Sequence, residues 1–260
     1  MNKSQLPLIA VLLAIIITSV MDFIGYIMFS ALALLPITAI FWLISRLRRE
    51  EMGLKAGRLE FYGLALLYPI LIPGLALAAA YASGDLNVTV NWKNILLASS
   101  VGILGVLITE EGFFRGWLWG AFRRNKMSPR KTLLVTSIIF TVWHISAVTS
   151  GSEYGLPWYQ VPIYLVNATF LGLTWGLLRA VSGSVIVPSF CHAVWNALVY
   201  ELFGFGEEIG SSGITNTILF GPEVGILGIV LNGGFFLWLW MKYKDQLEGE
   251  TPVRSLKWEE

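Results

Sequence analysis

Histidine and cysteine are nearly missing from this 260-residue chain, which has two of the first, His144 and His192, and one of the second, Cys191. A lone cysteine excludes a disulfide framework and a thiolate metal cluster, and it leaves the redox compartment unmarked. Charge is scarce as well, 13% of residues with a formal net charge of +1, so nothing in the overall balance points to nucleic acid. No His-Glu-x-x-His zinc motif, Gly-x-Ser-x-Gly elbow or internal repeat occurs. No small-residue cleavage site interrupts the apolar run that follows Lys3, which therefore reads as a membrane anchor and not as a removable signal.

Apolar residues are abundant instead. They make up 55% of the chain, and the mean hydropathy of +0.67 lies outside the range of water-soluble domains. A hydrocarbon core about 30 Å thick takes about 20 helical residues to cross, so the apolar stretch from Leu6 to Leu47 is too long for one span. Asp22 and Gly25 mark a turn between two short spans near 6–21 and 25–45. Further spans follow near 61–82, 94–122, 132–149, 161–180, 184–203 and 222–241. The expected fold is all-α: a polytopic bundle of about eight transmembrane helices with an internal polar cavity. A single domain covers 1–244, and 245–260 form a polar tail without a packing face.

Basic residues set the expected topology. Arg46, Arg48, Arg49, Lys55 and Arg58 follow the second span. Arg123, Arg124, Lys126, Arg130 and Lys131 follow the fourth, Arg179 the sixth, and Lys242 and Lys244 the eighth. The alternate loops hold Asp85, Glu153, Glu207 and Glu208, with Lys93 their only cation. Both termini are expected in the cytoplasm.

Against this apolar background a few polar residues stand inside spans, where each charge costs about 2.5–3.5 kcal/mol on insertion scales. Glu110 and Glu111 point about 100° apart on a helix, whereas Glu111 and Arg115, four apart, share a face. Arg115 can thus neutralise Glu111 and leave Glu110 free, and a buried structural ion pair fits this cluster equally well. His192 and Asn196 also share a face, as do Phe140 and His144, while Pro188 is expected to kink the helix that carries His192. Counted at 1.5 Å per residue from the cytoplasmic helix ends, Glu110 and Asn196 lie roughly 18 Å deep, His144 roughly 20 Å and His192 roughly 12 Å. That count expects a peptide to arrive from the cytoplasmic half of the bilayer. Cys191 cannot act as nucleophile to its neighbour His192, because adjacent helical side chains diverge. Gly172 and Gly176 have the small-xxx-small spacing of close helix packing.

Three motifs stand in order: Glu-Glu-x-x-x-Arg at 110–115, Phe-x-x-x-His at 140–144 and His-x-x-x-Asn at 192–196. Together with Ser182-Gly183-Ser184 ahead of the third, this set resembles the type II CAAX prenyl endopeptidase and bacteriocin-processing (CPBP, or Abi) family of intramembrane proteases. The resemblance covers the core from about 95 to 203. It implies an eight-helix bundle with a water-accessible cavity and endopeptidase activity near the C-terminus of a membrane-associated peptide or a prenylated CAAX protein. Carried over residue by residue, Glu110 and His144 would activate water, His192 and Asn196 would hold the oxyanion, and Glu111 with Arg115 would support Glu110. No cofactor is expected, although Glu110, His144 and His192 could also make a two-His, one-carboxylate zinc site. Substrate and lipid are the expected partners.

Two other readings compete. One is a non-proteolytic membrane partner, such as a bacteriocin self-immunity or regulatory protein, which would not need the full polar set. The other is a proton-coupled carrier, disfavoured by the lack of a repeated half or of paired broken helices.

Overall fold

The computed structural model describes residues 3–87, 89–150, 155–206 and 208–248. Among them there is no strand, and eight helical segments are long and apolar enough to span a bilayer. Helices are what a lipid-embedded chain must form, because the hydrocarbon offers its peptide groups no other hydrogen-bond partner.

The first two spans are separate. α1 (Leu6–Phe23) is followed by a turn at Gly25, whose φ of +88° favours glycine. A short α2 (Ile27–Ser30) leads through a 3-10 turn into α3 (Leu34–Ser45). α4 (Glu60–Ala82) is followed by α5 (Trp92–Ile108), a π-helical segment (Gly112–Leu118) and α6 (Trp119–Arg124), which together make the fourth span. α7 (Pro129–Trp143) breaks at His144 before a short α8 (Ile145–Thr149). α9 (Val161–Ser182) and α10 (Ile186–Phe203) follow, then the short α11 (Thr217–Phe220) and α12 (Ile226–Glu248).

α9 and α10 are the most enclosed spans and form the centre of the bundle. Small residues let neighbours close on them. A Cβ on Gly172 would lie 3.2 Å from the Ser137 Cβ, and one on Gly176 would lie 2.6 Å from a Leu133 methyl. The expected small-xxx-small contact therefore joins α9 to α7.

Three expectations need correction. Pro188 falls in the first turn of α10, where its missing N–H would have had no intrahelical partner, so it starts this helix and does not kink it. The last span begins at Ile226 and not near 222, because residues 222–225 form a buried turn instead. That turn is tied by Asn167 Nδ2 to the Gly225 carbonyl (3.2 Å) and by Asn232 Nδ2 to the Pro222 carbonyl (2.9 Å). α12 also runs on to Glu248 with Leu247 buried, past the start of the expected tail; 249–260 lie outside the described residues.

Candidate active site

The fourth span changes its winding where the charges are. α5 ends at Thr109, whose φ and ψ of −107° and −99° lie outside the helical region, and the wide π turns begin at Gly112. A Cβ on Gly112 would meet the Leu107 carbonyl oxygen at 2.4 Å, so only glycine permits this break. Inside the π segment the Arg115 carbonyl accepts from Arg179 Nε at 2.8 Å. π-bulges recur at functional sites because they re-aim neighbouring side chains.

Here the break separates the two glutamates. Glu111 is fully buried, and its Oε1 accepts both from Arg115 Nη1 (3.0 Å) and from His192 Nδ1 (3.0 Å). Arg115 also donates to the Gly172 carbonyl at 3.2 Å and lies 4.2 Å from the Phe140 ring centroid. Glu110, by contrast, retains 14% side-chain exposure and lines a cleft of about 180 Å³ together with His144 and Asn196. Glu111 therefore holds His192 directly, whereas the resemblance had it supporting Glu110.

His144 sits at the α7–α8 break. Its backbone N–H turns to the Thr141 carbonyl, which leaves the Phe140 carbonyl to accept from its Nδ1 at 2.8 Å. A carbonyl can only accept, so this bond fixes the tautomer and turns Nε2 outward. His192 is held in the same way through Nδ1, and its ring stacks on Trp175 with centroids 3.8 Å apart and planes at 18°. Both Nε2 atoms face Glu110 Oε2, each at 3.9 Å. At that spacing no direct hydrogen bond forms, but one water can bridge such groups.

All six expected residues, Glu110, Glu111, Arg115, His144, His192 and Asn196, thus come to one place. For the zinc alternative with Glu110 as the carboxylate, the donors stand wider than in a closed tetrahedral site. Donors sharing a tetrahedral zinc at about 2.0–2.2 Å stand roughly 3.4 Å apart, closer than the 3.9 Å found for both pairs. Among the described residues no group of three His, Cys, Asp or Glu side chains could hold a metal ion.

Two carboxylates escape the motif-based reading. Asp22, taken as a turn marker, is buried and lines the same cleft; a charge within an apolar run was the available signal. Glu223, buried in the turn before α12, accepts from the Trp195 indole N–H one turn beyond His192. Its place at a span edge gave no hint of this.

The rest of the cleft wall comes from Ile27, Met28, Ser30, Ala31, Trp143, Ala147, Val148, Tyr164, Tyr200 and Phe205. These residues lie at the helix ends away from the Arg46–Arg58 and Arg123–Lys131 loops. The cleft therefore lies on the opposite side of the glutamate–histidine cluster from the basic loops. The count of helix depths places the reacting groups but does not say which side of them is open.

Comparison with known proteins bears on the same stretch. Residues 91–198 match the family model described as Type II CAAX prenyl endopeptidase Rce1-like. This is the family that the three motifs resemble, and the matched stretch contains all six residues. The similarity points to a membrane protease. No curated protein matches the chain.

Proposed function

We propose, from that family match as premise, that the protein is an intramembrane endopeptidase that cleaves a membrane-associated or CAAX-type peptide with a water activated by Glu110 and His144. The observation that carries this reading is the convergence of Glu110 Oε2 with two histidine Nε2 atoms whose tautomers are fixed from behind. With its Nδ1 proton held by the Phe140 carbonyl, neutral His144 presents Nε2 as an acceptor, as is the Glu110 carboxylate, so these two suit the two hydrogens of one water.

In the proposed reaction the water oxygen bonds to the scissile carbonyl carbon as its proton passes to Glu110. The carbonyl oxygen becomes an oxyanion, which Asn196 and His192 stabilise. In this scheme His192 donates from Nε2 as the imidazolium, since its Nδ1 proton is committed to Glu111. The C–N bond then breaks, and the proton held by Glu110 goes to the leaving amine. Glu111 and Arg115 are positioning residues in this scheme.

The positive-inside rule assigns the basic loops and both termini to the cytoplasm. On that topology the cleft is open toward the outer half of the bilayer, and the peptide reaches Glu110 from there.

The test is mass-spectrometric detection of cleavage of prenylated CAAX and unprenylated membrane peptides by the purified protein, with and without a strong chelator. Cleavage that survives chelation is expected. Loss on chelation with recovery on zinc addition would replace the water-activation scheme by a metal one. Absence of cleavage for every peptide would favour the non-proteolytic partner.

A further inference from the structure

Asp22 is a carboxylate in a place that disfavours one. It lies in the last turn of α1, where the helix dipole opposes negative charge, and it is only 3% exposed. One oxygen, Oδ2, accepts from Ser146 Oγ at 2.6 Å. The other, Oδ1, is buried without a hydrogen-bond partner, and leaving a buried acceptor unsatisfied costs about 1–3 kcal/mol, more if it is charged. No lysine or arginine lines the cleft; its only charged or titratable groups beside Asp22 are Glu110, His144 and the two tyrosines, Tyr164 and Tyr200. The wall next to Asp22 in sequence is apolar at Ile27, Met28 and Ala31, Ser30 beside them spends its hydroxyl on the Ile27 carbonyl, and Ala147 and Val148 follow Ser146.

A largely apolar stretch of wall that ends on the unsatisfied Asp22 oxygen complements a side chain with an apolar stem and a cationic tip, as lysine and arginine have. We infer that Asp22 forms a specificity subsite that accepts a lysine or arginine side chain of the bound peptide, its ammonium or guanidinium group donating to Oδ1. The pairing supplies the missing donor and places a countercharge in a cleft that otherwise holds two carboxylates. This inference rests on the proposed peptide-binding role of the cleft, but not on hydrolysis.

The experiment uses the full-length protein in detergent and a fluorescent apolar peptide in which lysine, arginine, norleucine or glutamate is scanned through successive positions. Binding is read by fluorescence polarisation on the Glu110→Gln variant, and cleavage on the otherwise unaltered protein. At one position, lysine and arginine peptides are expected to bind at least tenfold more tightly than the norleucine peptide. Asp22→Asn, which keeps the size and the Ser146 contact, is expected to reduce that ratio to near one. Asp22→Lys is expected to reverse the preference toward glutamate, and a thermal melt of each variant separates misfolding from lost selectivity. Equal affinity for lysine and norleucine at every position, a ratio that survives Asp22→Asn, or no binding by any peptide would overturn the subsite. Asp22-dependent selectivity without cleavage would remove the protease reading and leave the subsite standing, whereas cleavage indifferent to lysine would do the reverse.

Discussion

Two adjacent residues of the same type do opposite things in this protein, and their environments explain why. Glu111 is enclosed with Arg115 and His192, and both of those partners bond the same oxygen. Removing one partner of a buried charged pair typically costs about 3–5 kcal/mol, so Glu111→Gln is expected to lower the thermal midpoint in detergent substantially. Glu110 Oε2 is buried with no hydrogen-bond partner, and neutralising it removes a desolvated charge without orphaning a cation. Glu110→Gln is therefore expected to leave the thermal midpoint unchanged or raised, as is common where function is built at the expense of stability. The sequence alone exposed this pair and its i, i+4 arginine, because spacing on a helix is enough to read it. That Glu111 serves His192, 81 residues on, was not legible, since no local spacing encodes a contact between α10 and the fourth span.

At the scale of elements, the site depends on where helices fail to be regular. The fourth span breaks at Thr109, the fifth at His144, and the last starts late because a buried turn replaces its first residues. Hydropathy located all eight spans, because length and apolarity are what a bilayer selects. It missed these interruptions because hydropathy does not register the hydrogen bonds that fix them: Arg179 on the Arg115 carbonyl and Asn167 and Asn232 on the 222–225 turn from elsewhere in the chain, and the His144 ring on the Phe140 carbonyl one turn back. Pro188 was misread for a related reason, since whether a proline kinks a helix or starts it depends on a boundary set within a few residues. Gly112→Ala is expected to force the break at Thr109 to rearrange, because its Cβ would overlap the Leu107 oxygen at 2.4 Å. Peptide hydrolysis should fall at least tenfold, checked by cleavage rate beside a far-ultraviolet spectrum that remains helical. Gly176→Leu is expected to separate α7 from α9 and to cost about 1–3 kcal/mol or more through overpacking, read as a lowered thermal midpoint.

Taken whole, the molecule has a charged, pinned side and a cleft side. On the basic side, Arg124 bonds Glu51 through Nε at 2.8 Å and the Ser45 carbonyl through Nη1 at 2.9 Å, so the loop after α3 is fixed to the end of α6. Burial pushes the Glu51 carboxyl upward, but the Arg124 guanidinium and the Arg48 backbone N–H outweigh it and hold the group below its ordinary value. A carboxyl lowered by folding contributes stability above its ordinary pKa and loses it as pH falls through the lower folded value. The thermal midpoint is thus expected to drop on acidification toward pH 3. Glu51→Gln should begin lower and show a shallower drop. Topology is tested on the same scale. Single cysteines at Met28 or Ala147, in the cleft wall, are expected to react with a membrane-impermeant maleimide only from the side opposite a cysteine placed at Lys126. Reaction of all three from one side would overturn the assigned faces.

The central claim is the division of labour between the two glutamates, and the most direct measurement of it is the cleavage rate of one susceptible peptide by Glu110→Gln and Glu111→Gln beside the unaltered protein, each variant first shown to be folded. Loss of a general base typically costs about 10²–10⁴-fold. The account requires that loss for Glu110→Gln at every pH, in a protein at least as stable as the original. A folded Glu110→Gln that cleaves within threefold of the unaltered rate would contradict it.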